Sequence, residues 1–128
     1  MNSQAKVNQK IITTEELNDI IVDSIQDIKG ERIIKLDLRH LSDASVDYFI
    51  ICEGNSHTQV KSITDRIALR LKQEAQVLPL SIEGQRGAQW VCLDYFNTVV
   101  HVFYKDTRRF YAIEELWSDA KFTEYDNL

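Results

Sequence analysis

The side chains able to do chemistry are few, and their spacing limits what they can do. The three histidines, His40, His57 and His101, fall on a loop, a helix start and a strand, with no close His or Cys neighbour at the spacing of a zinc site. His101 lies in the run Val99-Val100-His101-Val102-Phe103, a setting that reads as a histidine hydrogen-bonded within a core or a half-buried face. A thiol–imidazole dyad of His101 with Cys52 or Cys92 is open to the sequence. Both cysteines, however, sit inside apolar strand-like runs and lack the electropositive, exposed setting of a reactive thiolate.

Gly54-Asn55-Ser56 stands between an apolar strand and a helix, where free backbone amides can meet an anion. The run lacks the lysine and the glycines of a P-loop and the spacing of a dinucleotide fingerprint. An ordinary capped turn accounts for it. The order strand-Gly-x-Ser-helix also occurs in nucleotidyltransferases, but two-metal transfer needs paired carboxylates on the next strand, and the following strands supply Asp94 alone.

Binding is the chemistry left, and its candidates are Trp90, Asp94 and Tyr95. Trp90 and Asp94 lie four residues apart on a strand, with Cys92 between them, and so share a face, where a carboxylate is costly to bury unpaired. Trp and Tyr are enriched among interface anchors. A core tryptophan under a helix is the other reading of Trp90, and periodicity does not choose between them. Trp117 is the weaker candidate, since it falls in an apolar helical stripe.

The element that positions these residues is Gln89 to Tyr104, two β-branched and aromatic runs around a break at Phe96-Asn97, which predicts a hairpin. Alternation puts Trp90, Cys92 and Asp94 on one face and Val91, Leu93 and Tyr95 on the other. Upstream, Thr13 and Glu16 have the spacing of a capping box, and Leu17, Ile20, Ile21, Ile25 and Ile28 continue at helical intervals to Gly30, which is expected as the C′ residue. Arg32 to Leu38 alternates as a half-exposed strand near a sheet edge. After the polar loop from Arg39 to Ser45, Tyr48 to Cys52 is apolar without alternation and reads as the central strand, buried on both faces.

Ser56 and Gln59 make a second capping box, opening a helix with Val60, Ile63, Ile67 and Leu71 inward and Lys61, Asp65, Arg66 and Arg70 outward. Leu78 to Ile82 predicts a short strand, with Pro79 placing it at a strand start or edge. After the hairpin, a last helix is expected to bury Phe110, Ile113, Leu116, Trp117 and Ala120 on one stripe. The order is α-β-β-α-β-β-β-α: an α/β or α+β domain with a single mixed β-sheet of about five strands covered by helices. Its expected limits are 11–120, with a disordered tail over 1–10 and a loose C-terminal tail over 121–128.

Bulk properties agree with a binding role. The 128 residues, 44% of them apolar, suffice for one domain with a real core. Fifteen basic against 20 acidic residues give a net charge of −5, which argues against a phosphate-tracking surface and for a basic protein as partner. Residues 1–10 contain no apolar signal segment and no later run approaches a membrane span, so a soluble, cytosolic protein with reduced thiols is expected.

In order along the chain, Asp47 to Cys52, Gly54-Asn55-Ser56, Val60 to Ile63, Glu83-Gly84, Trp90 to Tyr95, Val99 to Phe103 and Arg108 to Trp117 closely resemble the ribosomal silencing factor, or Iojap, family. The resemblance runs from the first helix to Trp117. It implies a nucleotidyltransferase-like fold without transferase activity or cofactor, commonly a homodimer in solution. It further implies a factor that binds the large ribosomal subunit through its fourteenth protein, with little direct RNA contact. There it would block joining of the small subunit and lower translation when nutrients are scarce. The family's surface maps onto Trp90, Asp94 and Tyr95, with Lys61, His101 and Arg108 as nearby polar positions. Glu53 departs from the small hydroxyl residue usual in the family, and Phe96-Asn97 from a common Gly-Asp turn. A nucleotidyltransferase-like or thiol-dependent enzyme is the competing class.

Overall fold

The computed structural model describes residues 12–128, so the tail expected over 1–10 lies outside the described residues. Helix α1 (Thr14–Asp27) opens on the expected capping box. Thr13 Oγ1 accepts from Glu16 N–H at 3.0 Å, and Glu16 returns a carboxylate oxygen to Thr13 N–H at 2.9 Å. Its C-terminus differs by one residue from expectation. Lys29, at φ 61°, takes the left-handed position, and Gly30 follows it, donating to Ile25 O at 2.9 Å. The glycine is required there by space rather than by φ, because a Cβ would strike the Ile25 side chain.

Strand β1 (Glu31–Asp37) runs antiparallel to β2 (Tyr48–Gly54), with a bulge between Glu31 and Ile34 where Arg32 has φ 50°. Helix α2 (His57–Ala75) is capped by Ser56 Oγ, which accepts from Gln59 N–H. The second capping box forms only by half. Gln59 Oε1 accepts from Asn55 N–H instead, and its Nε2 donates to the carbonyls of Ile28 and Lys29, which ties the start of α2 to the end of α1. Strands β3 (Ser81–Glu83), β4 (Trp90–Asp94) and β5 (Thr98–Tyr104) form an antiparallel meander, and β5 then lies parallel to β2.

The sheet is single and mixed, in the order β3-β4-β5-β2-β1-β6, and helices cover it. Among the described residues it has six strands where about five were expected. The sixth, β6 (Lys121–Tyr125), occupies the segment read as a loose tail and pairs antiparallel with β1, with Asp37 opposite Lys121 and Ile33 opposite Tyr125. Most of its side chains stay exposed, so it carried no buried periodicity to read. Backbone hydrogen bonds to an otherwise open edge hold it. It also moves β1 one place in from the edge.

The last helix is corrected as well. Residues 105–116 form two short helices, α3 (Lys105–Tyr111) and α4 (Ile113–Leu116), broken at Ala112, where φ is 43°. The expected stripe therefore does not form. Ile113 and Ala120 are buried, Trp117 is half-buried, and Phe110 and Leu116 stand 81% and 76% exposed.

Two cores result. On one face of the sheet α1 and α2 bury Leu17, Ile21, Ile25, Ile63, Ile67 and Leu71 against Ile50, Val91, Leu93, Val100 and Val102. On the other, a smaller cluster of Leu36, Leu38, Ile51, Phe103, Ile113 and Ala120 is covered, among the described residues, by the α3–α4 arm and by Leu41, Ala44 and Val46 of the loop between β1 and β2. The thin cover on this second face leaves side chains of β4 and β5 in reach of solvent.

Candidate functional site

Alternation on β4 is as the sequence predicts. Val91, Leu93 and Tyr95 are buried on the α1–α2 side, and Trp90, Cys92 and Asp94 are half-buried on the other. On β5, Cys92 faces His101 directly and Trp90 faces Phe103. Trp90 Nε1–H donates to His101 Nδ1 at 3.0 Å, diagonally across the strand pair. Since Nδ1 accepts, the proton of the neutral ring sits on Nε2. Burial pushes the His101 pKa down to about 4, which keeps the ring neutral.

Around this pair the aromatic rings connect. Phe110 meets Tyr111 with centroids at 5.0 Å, Tyr111 lies 4.8 Å from Trp90, His101 packs 4.6 Å from Phe49 edge-on, and Phe49 reaches Trp117 at 6.0 Å. Five aromatic rings and one imidazole thus form a continuous run over β4, β5, β2 and the arm. One end of the run is open, with Phe110 and Tyr111 exposed, while Trp117 at the other end is half-buried beside the exposed Leu116. Exposed aromatic side chains bordered by charged residues are the makings of a protein-interaction surface. Asp106, Glu115 and Asp119 lie exposed along the same arm, Asp106 paired there with the exposed Arg109 at 3.4 Å.

Of the predicted site residues, Trp90, Asp94 and His101 come together on this face. Asp94 also caps the hairpin turn, its Oδ1 accepting from Phe96 N–H at 2.8 Å, while Phe96 takes φ 77°. Tyr95 does not join them. It is 6% exposed on the opposite face, under the helices, and burial pushes its hydroxyl up to about 12. Lys61 is exposed on α2, at a cleft of about 570 Å³ shared with Asp65, Gly84 and Arg86, also on the helix side. Arg108 is buried, its guanidinium held by Glu53, Glu114 and the carbonyl of Arg32.

The residues that sequence reasoning missed are Phe110, Tyr111 and Leu116. One signal was present: consecutive aromatics at 110 and 111 cannot both be buried by a helix that has a single inward stripe.

The other chemistries find little footing. Cys92 Sγ lies 3.6 Å from His101 Nδ1, but burial raises the thiol and lowers the imidazole, so the pair is neutral rather than thiolate–imidazolium. Cys52 and Cys92 are both free. They stand on strands separated by β5, Cys52 buried and Cys92, although its run is apolar, only half-buried. At Gly54-Asn55-Ser56 the Asn55 amide is already taken by Gln59, so this turn serves the helix cap. Among the described residues no group of three His, Cys, Asp or Glu could hold a metal ion, and no helix is long and apolar enough to cross a membrane.

Comparison with known proteins gives a consistent result. The family model described as "Ribosomal silencing factor during starvation" matches residues 11–128. The ribosomal silencing factor of Bacillus subtilis is 37% identical over 123 residues, covering 94% of this chain and 96% of its own. That of Halalkalibacterium halodurans is 35% identical over 117 residues, with 91% and 98% covered. A crystal structure of a Chromobacterium violaceum protein superposes with a TM-score of 0.79 at 33% identity, over 84% of this chain and 88% of that one.

Proposed function

The chain belongs to the ribosomal silencing factor family, and from that premise we propose that it docks on the large ribosomal subunit through that subunit's fourteenth protein. Docked there, it blocks joining of the small subunit and lowers translation when nutrients are limiting. The observation that carries this reading is the aromatic run from Phe110 through Tyr111 and Trp90 to Trp117, left open on the sheet face away from α1 and α2.

The physics favours a protein as the contact. A net charge of −5 repels ribosomal RNA as a general surface, yet it complements a basic ribosomal protein that stands out from that RNA. Trp90 is the central anchor, Tyr111 and Phe110 extend the apolar contact, and Asp94, Asp106, Glu115 and Asp119 supply an acidic rim. Lys61 and Tyr95, on the other side of the sheet, contribute no direct contact in this reading. Repression then needs no bond making or breaking: a folded domain on the joining face excludes the small subunit by its volume. A homodimer in solution and residence in the bacterial cytoplasm complete the proposal.

The test is sedimentation of the purified chain with isolated large subunits, followed by addition of small subunits, for wild type and Trp90→Ala. Cosedimentation that prevents joining and is lost in the folded variant is the expected result. A folded wild-type chain that fails to bind matched large subunits would overturn the proposal.

A further inference from the structure

We propose that Arg108 is the positioning residue of the docking surface: it fixes the α3–α4 arm, and through it the aromatic side chains, without touching the partner. The assignment rests on the docking reading of the aromatic run. Helices of seven and four residues are too short to be stable by themselves. Between 105 and 120 only Ile113 and Ala120 are buried apolar side chains.

Arg108 supplies the missing attachment. Its side chain is 5% exposed and bonds in three directions. One terminal nitrogen donates to Arg32 O in the β1 bulge at 2.7 Å and to Glu53 Oε1 at the end of β2 at 3.2 Å. Nε donates to Glu114 Oε2 on α4 at 3.0 Å. Arg32 stands within the bulge, outside the paired positions of β1 and β2, and its carbonyl is the one Arg108 takes. The Glu114 bond spans the break at Ala112, while Ala112 N–H donates to Arg108 O at 2.8 Å. Arg108 therefore sets the arm against the sheet and also α3 against α4. Those two relations place Tyr111 against Trp90, with Phe110 beyond it against Tyr111, and Leu116 next to Trp117.

A buried ion pair adds little net stability compared with apolar groups of equal volume, so stability alone is a weak reason for the arrangement. A planar guanidinium that meets acceptors in fixed directions specifies geometry, which an ammonium does not. Glu53 and Glu114 are both acceptors, so the attachment joins one guanidinium to two carboxylates, one from the end of β2 and one from α4.

The experiment uses the full chain with Arg108→Lys, which keeps the charge, and Glu114→Gln, which keeps the size at a partly exposed position and guards against an unfolded first variant. Backbone amide exchange is measured on the free protein, and affinity on isolated large subunits. Exchange over 105–120 should rise by roughly tenfold or more while α1 and β2 keep their protection. Affinity should fall by roughly tenfold, and Phe110→Ala should then cost less in the Arg108→Lys background than in wild type, because the two changes act on one element. Wild-type exchange on the arm and wild-type affinity in both folded variants would overturn the assignment. So would loss of protection spread evenly over the chain with affinity unchanged, the mark of a merely structural role. If exchange rises on the arm but the wild-type chain does not bind large subunits, the docking function falls and the attachment of the arm by Arg108 stands.

Discussion

Trp90 and His101 are joined by a single hydrogen bond, indole Nε1–H to imidazole Nδ1 at 3.0 Å, and the bond settles the state of both residues. It holds the indole against the sheet with one face toward Tyr111, and it commits the imidazole to the neutral form with the proton on Nε2. A protonated His101 would present Nδ1–H to the indole N–H, two donors face to face. The anchor of the proposed contact thus depends on a histidine that stays uncharged.

Trp90→Ala should weaken binding to large subunits by about 2 kcal/mol or more, as for a central anchor. Trp90→Phe keeps much of the apolar area and loses the bond to His101, so it should fall between wild type and alanine. Sedimentation across a range of subunit concentrations measures both. Wild-type affinity in folded Trp90→Ala would remove Trp90 from the contact.

His101 makes stability depend on pH in a definite direction. Its folded pKa, about 4, lies below the ordinary histidine value of 6.5, so the unfolded chain binds the proton more readily. The contribution is fully present above pH 6.5 and is lost as pH falls from there to about 4, amounting to at most roughly 3 kcal/mol. Urea midpoints measured from pH 7.5 down to pH 4 should show this slope in wild type. His101→Gln, which carries no titrating group, should flatten it.

Phe110→Ser and Leu116→Ser should leave stability nearly unchanged, within about 0.5 kcal/mol, because both side chains are already in solvent. Each should still weaken large-subunit binding. Thermal melts paired with binding curves separate the two effects, and a large drop in melting temperature would return these residues to the core.

Gly84→Ala should destabilise the chain by about 1–3 kcal/mol. Gly84 has φ 88°, and a Cβ there would land on the carbonyl oxygen of Trp90, a backbone atom that cannot swing aside. The same change should displace Trp90, so its fluorescence maximum should shift. A Trp117→Phe background leaves Trp90 as the only tryptophan and makes the reading specific.

Removal of residues 121–128 should lower stability and promote aggregation, since it deletes β6 and opens the edge of β1. A true tail would be dispensable. Light scattering on heating distinguishes the two.

Much of this molecule was legible in its residues. The capping box at Thr13 and Glu16, the strand from Tyr48, buried on both faces from Ile50 onward though only half-buried at Tyr48 and Phe49, the hairpin around Phe96-Asn97 and the two faces of β4 all follow from local chemistry and from periods of 3.6 and 2. The ordered motifs also carried the family, which the comparisons then showed. Other features had no local signature. β6 is held by backbone bonds to a strand some 85 residues earlier, and its exposed side chains report nothing of them. Ala112 adopts a left-handed conformation that nothing about alanine announces, and that one residue turns Phe110 and Leu116 from an expected core stripe into surface. Tyr95 and Arg108 illustrate the same division. The sequence offered Tyr95 as a contact, and the family resemblance put Arg108 among nearby polar positions, either contact or structural; in the fold Tyr95 is buried beneath α1 and α2, and Arg108 is buried among acceptors from β1, β2 and α4. Local preference and periodicity determined which elements form and which faces they have. Only tertiary structure decided which faces remain uncovered, because that depends on residues far apart in the chain meeting in space.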